Sequence, residues 1–148
     1  VPDIIKSING EKKLTIRNPS YVRPWQHVIE PLIGYLMLAE AQYKNFNNQE
    51  HSWNFGPRKD NFKKVNQVIN IMKNLKNFNH KIEKLNKRKE TKILRLNSLK
   101  SIKRLGWKPI WNLKVTLKRV FEWNVLFNKG VQAKNICEKQ FLMYLNNI

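Results

Sequence analysis

Three prolines divide the stretch from Thr15 to Glu40 and leave it few ways to fold. Leu14, Thr15 and Ile16 favour an extended chain, Asn18 and Pro19 break it, and Pro24 holds the residue before it, Arg23, away from helical angles. Beyond Val28 the apolar positions Ile29, Leu32, Ile33, Leu36 and Tyr43 recur at helical spacing. Glu30 and Pro31 occupy the places where a helix start favours an acid and a proline. Arg23 is therefore presented from a stiff, non-helical backbone just ahead of a core helix. A planar guanidinium carries forked donors that match phosphate oxygens, which lysine cannot copy, so Arg17 and Arg23 stand out in a chain whose positive charge is mostly lysine. Position alone favours the plainer reading, that both arginines lie on the surface.

Elsewhere the pattern predicts a mixed α/β, helix-rich unit covering residues 1–148. Residues 2–9 read as a short helix ended at Asn9-Gly10, Leu14 to Ile16 as a strand, and Arg23 to Val28 as an extended piece feeding a helix from about 30 to 44. Asn45 to Ser52 reads as a loop, Trp53 to Phe55 as a strand, and Gly56-Pro57 as a turn into a helix with the face Phe62, Val65, Ile69, Met72 and Leu75. Lys81 to Leu85 and Ile93 to Leu96 read as short strands around a basic loop. Ser98 opens a brief helix that Gly106 closes, and Asn112 caps a helix carrying Leu113, Leu117, Val120, Asn124 and Phe127 along one side. A final helix spans about 132–145. Internal repeats, linkers and low-complexity tracts are absent from the sequence.

The chain has 148 residues, 41% of them hydrophobic, with five Trp, four Tyr and seven Phe, enough for a real core. The formal charge of +19 admits a nucleic-acid reading in which Lys84, Lys87, Arg88, Lys89, Lys92 and Arg95 follow a phosphate backbone. Against it, the lysines are scattered among Asn and Ile and the aromatics follow apolar periodicities. No dedicated nucleic-acid partner is expected, only loose binding of polyanions at low salt. There is no apolar run for a bilayer and no secretory leader pattern, so a cytoplasmic protein without a membrane partner is expected. The single Cys137 falls with Ile136, Phe141 and Tyr144 on one helical face and reads as a buried structural thiol. His27, His51 and His80 lack partners at metal-site spacing, and His27-x-x-Glu30 reads as packing and helix capping, so no metal is expected. No serine sits in a nucleophile elbow, and the ten scattered acids define no acid–base pair.

The run Ile16-Arg17-Asn18-Pro19, the block from Arg23 to Leu32 and the following Gly34 to Glu40 resemble the CDP-glucose 4,6-dehydratases, NAD-dependent enzymes of the extended short-chain dehydrogenase/reductase type. Pro2 to Ile5 with Ser7-Ile8, Trp53 to Pro57, and Leu105-Gly106-Trp107-Lys108-Pro109 agree in order. The last signature is common to many nucleotide-sugar epimerases and dehydratases, whereas Arg23 to Leu32 is long and chemically unusual. The resembled enzymes oxidise the sugar at C4 with bound NAD, lose water across C5 and C6, and return the hydride at C6. The resemblance implies that Arg23 meets the diphosphate of CDP-glucose or another nucleotide sugar. It places Thr15 and Arg17 beside the nucleotide, Trp25 as a support, and Glu90 in a segment like the family's His-Glu-Ala.

The sequence has neither a glycine-rich dinucleotide fingerprint nor a Tyr-x-x-x-Lys pair, so no catalytic residue is assigned. The resemblance implies that this is the C-terminal, substrate-binding half of a longer protein, without most of the Rossmann sheet. NAD and the catalytic groups would belong to an N-terminal Rossmann part, the assembled enzyme would be a homodimer, and the fragment alone would be inactive. Lys89 and Asn97 depart from the family's histidine and aspartate, and residues 58–88 follow no family pattern. A related dehydratase or epimerase, or a basic nucleic-acid-binding protein, remains the alternative.

Overall fold

The computed structural model describes residues 1–44, 52–83 and 90–147. Helix α1 (Pro2–Ile8) leads to strand β1 (Leu14–Ile16), strand β2 (Val22–Pro24) and helix α2 (Ile29–Tyr43). A 3-10 turn (Lys59–Asn61) enters strand β3 (Phe62–Lys64) and helix α3 (Val65–Leu75), followed by strand β4 (His80–Ile82). Helices α4 (Leu99–Leu105), α5 (Leu113–Asn128) and α6 (Ala133–Leu145) complete the order. Two small sheets connect these helices. Strand β1 pairs in parallel with β4, and β2 pairs antiparallel with β3, Arg23 opposite Lys63. Among the described residues no helix is long and apolar enough to cross a membrane.

The main core forms where α3 meets α1, β1 and α5. Val68, Ile69 and Met72 project from one side of α3 into Ile4, Ile8, Leu14, Phe78, Leu113 and Leu117. Burial of each such side chain contributes about 1.5–3 kcal/mol. Gln67 accepts a hydrogen bond from the Lys64 N–H and fixes where α3 begins. Asn112 caps α5 as expected, its side chain accepting from the Val115 N–H at 3.0 Å. Gly106 closes α4 at φ +68°, where an L side chain would be strained.

Three expectations need correction. Trp53–Phe55 forms no strand, because side chains take its backbone groups. Ser101 Oγ donates to the Asn54 carbonyl (2.6 Å), Gln26 Nε2 donates to that of Phe55 (3.0 Å), and the Gly56 N–H donates to Ser98 Oγ (2.7 Å). Phe62 belongs to β3 rather than to the face of α3, since β2 offers its segment a pairing edge. Ile93–Leu96 makes only a single parallel bridge, Val22 to Ile93. The expected loop at 45–51, the end of the predicted strand at 84–85 and most of the basic loop lie outside the described residues.

Candidate functional site

Arg23 is held in place by its own strand and by two neighbours. Its Nη1 donates to the carbonyls of Val22 and Thr91, each at 2.9 Å, and its Cζ lies 5.2 Å from the centre of the Tyr21 ring. Nη2 reaches Glu90 Oε2 at 3.5 Å, and Asn18 Nδ2 donates to the same oxygen at 3.2 Å. The Arg23 side chain is 25% exposed against 43% for Glu90, so the guanidinium is the more covered of the pair and the carboxylate the more open to solvent. The strand supplies the geometry. Tyr21 and Arg23 share a face because strand side chains alternate, and the turn at Asn18 is closed by the Tyr21 N–H donating to its carbonyl at 3.2 Å. The N-terminus of α3 holds that turn from behind, with the Val65 and Asn66 N–H groups donating to the carbonyls of Tyr21 and Pro19.

Of the residues singled out in the sequence, Arg23 and Glu90 come together. Trp25 lies behind them, its Nε1 donating to the Lys63 carbonyl at 2.9 Å while its ring packs on the main core. Thr15 and Arg17 are exposed on and just beyond β1, in the other two-stranded sheet. Asn18 and Tyr21 were missed, although the i, i+2 spacing of Tyr21 and Arg23 on a strand was a readable sign. Lys92 and Arg95 are exposed, while Lys84, Lys87, Arg88, Lys89 and His51 lie outside the described residues.

Seven residues beyond Arg23, Glu30 has the opposite environment. Its side chain, in a residue 1% exposed, accepts from the Ile110 N–H at 3.0 Å, the Trp111 N–H at 2.7 Å and the Tyr144 hydroxyl at 2.6 Å. Its carbonyl accepts from Trp107 Nε1 at 3.1 Å. A helix-starting acid thus becomes the tie between α2, the segment after α4, and α6. Burial, and then Glu30 itself, pushes the Tyr144 hydroxyl well above the usual tyrosine range, so it stays a donor. His27, buried against Trp111 with ring centroids 5.0 Å apart, is lowered to about 4 by burial first and by Arg119 second. Its Nδ1 accepts from the Ile29 N–H at 3.3 Å. At neutral pH it is an uncharged acceptor.

Cys137 is exposed, contrary to the sequence reading. The buried stripe of α6 is Ile136, Gln140 and Tyr144, and Cys137 lies one position round the helix, 3.4 Å from Trp123 Nε1. Among the described residues no group of three His, Cys, Asp or Glu stands together to hold a metal.

No protein-family model matches the chain. The chain is 35% identical over 142 residues to the CDP-glucose 4,6-dehydratase of Salmonella typhimurium, a match covering 95% of this chain and 39% of that protein. Along nearly its whole length the chain is thus similar to a dehydratase of the kind its sequence resembles. The fold agrees. It matches a UDP-glucose-4-epimerase from Stenotrophomonas maltophila, solved with NAD and formylated UDP-arabinopyranose, at TM-score 0.71 and 14% identity over 88% of this chain and 40% of that one. A UDP-glucuronic acid 4-epimerase from Bacillus cereus, solved with UDP-glucuronic acid and NAD, matches at TM-score 0.60 and 16% identity over 78% and 36%. The chain spans about two fifths of the length of the proteins it matches, and its fold corresponds to their C-terminal part. Within this fold, the two sequence signatures, Arg23 to Leu32 and Leu105 to Pro109, meet at Glu30.

Proposed function

We propose that this chain is the substrate-binding part of a nucleotide-sugar 4,6-dehydratase acting on CDP-glucose. The observation that carries the reading is the 35% identity to the Salmonella enzyme along 95% of the chain. The geometry at Arg23 supports the role given to that residue. A guanidinium already braced by two carbonyls and a ring loses little freedom on meeting a diphosphate, and the edge it turns to Glu90 carries the forked donors that phosphate oxygens fit. Glu90 and Asn18 orient that edge. Thr15 and Arg17, exposed on the neighbouring sheet, are assigned to the nucleotide side of the pocket.

The residues of this chain do not fit a dinucleotide. Its five glycines are dispersed at 10, 34, 56, 106 and 130, with no glycine-rich turn from a strand into a helix. NAD and the proton-transfer groups are therefore assigned to a Rossmann part outside this chain, in a cytoplasmic, homodimeric enzyme, and the chain alone is expected to show no turnover.

The test is calorimetric binding of CDP-glucose, UDP-glucose and dTDP-glucose to an enzyme carrying this chain. Arg23→Lys should weaken CDP-glucose binding by about 1–3 kcal/mol, the scale of a charge-assisted hydrogen bond to a buried acceptor. Unchanged affinity removes Arg23 from the site, a preference for another base reassigns the substrate, and tight, salt-resistant DNA binding by the chain defeats the reading altogether.

A further inference from the structure

The Tyr21 ring has a place in the structure that core packing does not explain. It is half-buried, belongs to neither hydrophobic cluster of the described residues, and lies under the Arg23 guanidinium, whose Cζ is 5.2 Å from the ring centre. The backbone beneath it is fixed from both sides. The Tyr21 N–H donates to the Asn18 carbonyl at 3.2 Å, and the Tyr21 carbonyl accepts from the Val65 N–H at 3.0 Å. Across the strand, the Val22 N–H donates to the Lys92 carbonyl at 2.9 Å and the Val22 carbonyl accepts from the Leu94 N–H at 3.2 Å.

The ring adds a constraint that the hydrogen bonds of Arg23 lack. A guanidinium has five N–H donors in a flat fork, two of them on Nη1. Both Nη1 donors are used, one on the Val22 carbonyl and one on that of Thr91, each at 2.9 Å. These bonds anchor one end of the group and leave its plane free to tilt about that end. A ring face opposes the tilt, because a flat, weakly hydrated cation is drawn to an aromatic face and an aliphatic side chain offers none. What remains is a second fork, made by Nε and Nη2, whose one described partner is Glu90 at 3.5 Å.

We infer that Tyr21 is a positioning residue for the diphosphate: its ring holds the Arg23 guanidinium flat, so that the fork of Nε and Nη2 faces the phosphate oxygens. The inference rests on the reading given under Proposed function and assigns a residue and an edge that the reading does not. Arg23 supplies the charge and the donors, and Tyr21 sets the angle at which they are offered. Forked recognition loses one of its two bonds when the plane turns away from the oxygens.

The test is a double-variant cycle on an enzyme carrying this chain, with CDP-glucose binding measured by calorimetry. Tyr21→Leu should weaken binding about three- to tenfold when Arg23 is present, and less than about twofold when Arg23→Lys has already removed the planar group. Tyr21→Phe, which keeps the ring, should bind within about twofold of the unaltered protein. A ring that served packing alone would weaken both backgrounds alike, so equal losses in the two overturn the inference. A loss with Tyr21→Phe as large as with Tyr21→Leu overturns it too, and assigns the hydroxyl to direct contact with the ligand. If Tyr21→Leu does not fold, nuclear magnetic resonance of the unaltered protein decides. The Arg23 Nε–H signal, identified by its loss in Arg23→Lys, should be shielded by the ring and should shift on addition of CDP-glucose or inorganic pyrophosphate. A signal at the ordinary arginine position that saturating CDP-glucose does not move overturns the inference. Weaker binding with Arg23→Lys but not with Tyr21→Leu overturns the inference and leaves the proposed function standing. The same dependence on the ring with another nucleotide sugar, and no binding of CDP-glucose, overturns the substrate and leaves the role of Tyr21 standing.

Discussion

Arg23 and Glu30 are seven residues apart, belong to the same resemblance block, and are used in opposite ways. Arg23 spends two of its donors on carbonyls and turns the remaining edge to a partly exposed carboxylate at 3.5 Å. Glu30 has every described contact inside the protein, receiving two backbone N–H groups and a hydroxyl. An exposed ion pair contributes little to stability because water and salt screen it, whereas a buried carboxylate is costly to deprive of its donors. The difference separates a charge left partly open to solvent from a charge committed to the fold. It also warns that a shared sequence block need not be a shared binding site residue for residue.

The largest expected effect lies on the committed side. Glu30→Ala strands the N–H groups of Ile110 and Trp111 and the Tyr144 hydroxyl in a dry interior, and should cost about 3–5 kcal/mol of folding stability. Urea unfolding of the variant measures it. Arg23→Lys in the same assay should move stability by less than about 0.5 kcal/mol, as a substitution at a partly exposed side chain does. Equal losses for the two variants would erase the distinction between them.

Much of this was legible beforehand because each signal was local. Asn112 as a cap, Gly106 as a helix stop and Pro24 holding Arg23 extended all depend on near neighbours in sequence, and all three stand in the fold. What could not be read depends on partners far along the chain. Glu30 looked like an acid at a helix start because Ile110, Trp111 and Tyr144 lie 80 or more positions away. Trp53–Phe55 had strand-forming residues, but side chains from α4 and its N-terminal Ser98 satisfied its backbone instead. Cys137 was one helical position from a buried stripe, and periodicity alone does not fix which edge of a stripe the neighbouring helix covers. The position of Gly34 in α2 has the same kind of cause, since a methyl group there would meet the Phe55 ring at 2.3 Å.

The next effect concerns the histidine between the two charges. His27 titrates at about 4 in the fold against about 6.5 when unfolded, so the unfolded chain binds the extra proton first as the pH falls. The stability linked to His27 is fully present above pH 6.5 and drains away as the pH drops toward 4, by about 3 kcal/mol over that window. His27→Gln should flatten this part of the urea midpoint profile between pH 7 and 4 while leaving the carboxylate contributions in place. A parallel profile for the two proteins would show that His27 is as accessible to protons folded as unfolded, and the tight cluster around Glu30 would have to be redrawn.

A smaller loss than that of Glu30→Ala refines the picture of Glu30 itself. Tyr144→Phe keeps the ring on Trp111, with centroids 5.2 Å apart in the present protein, and removes only the hydroxyl that donates to Glu30. The carboxylate retains the two backbone donors, so the loss should be about 1–2 kcal/mol, below that of Glu30→Ala. Because the folded state raises the tyrosine above its ordinary value near 10, the stability linked to that proton is present below pH 10 and is lost as the pH rises beyond it. Tyr144→Phe should therefore unfold less steeply with pH above 10 than the unaltered chain. A loss as large as that of Glu30→Ala would mean that the hydroxyl, and not the backbone of 110–111, is what holds the buried charge, and the tie between α2 and α6 would then outweigh the one between α2 and the segment after α4.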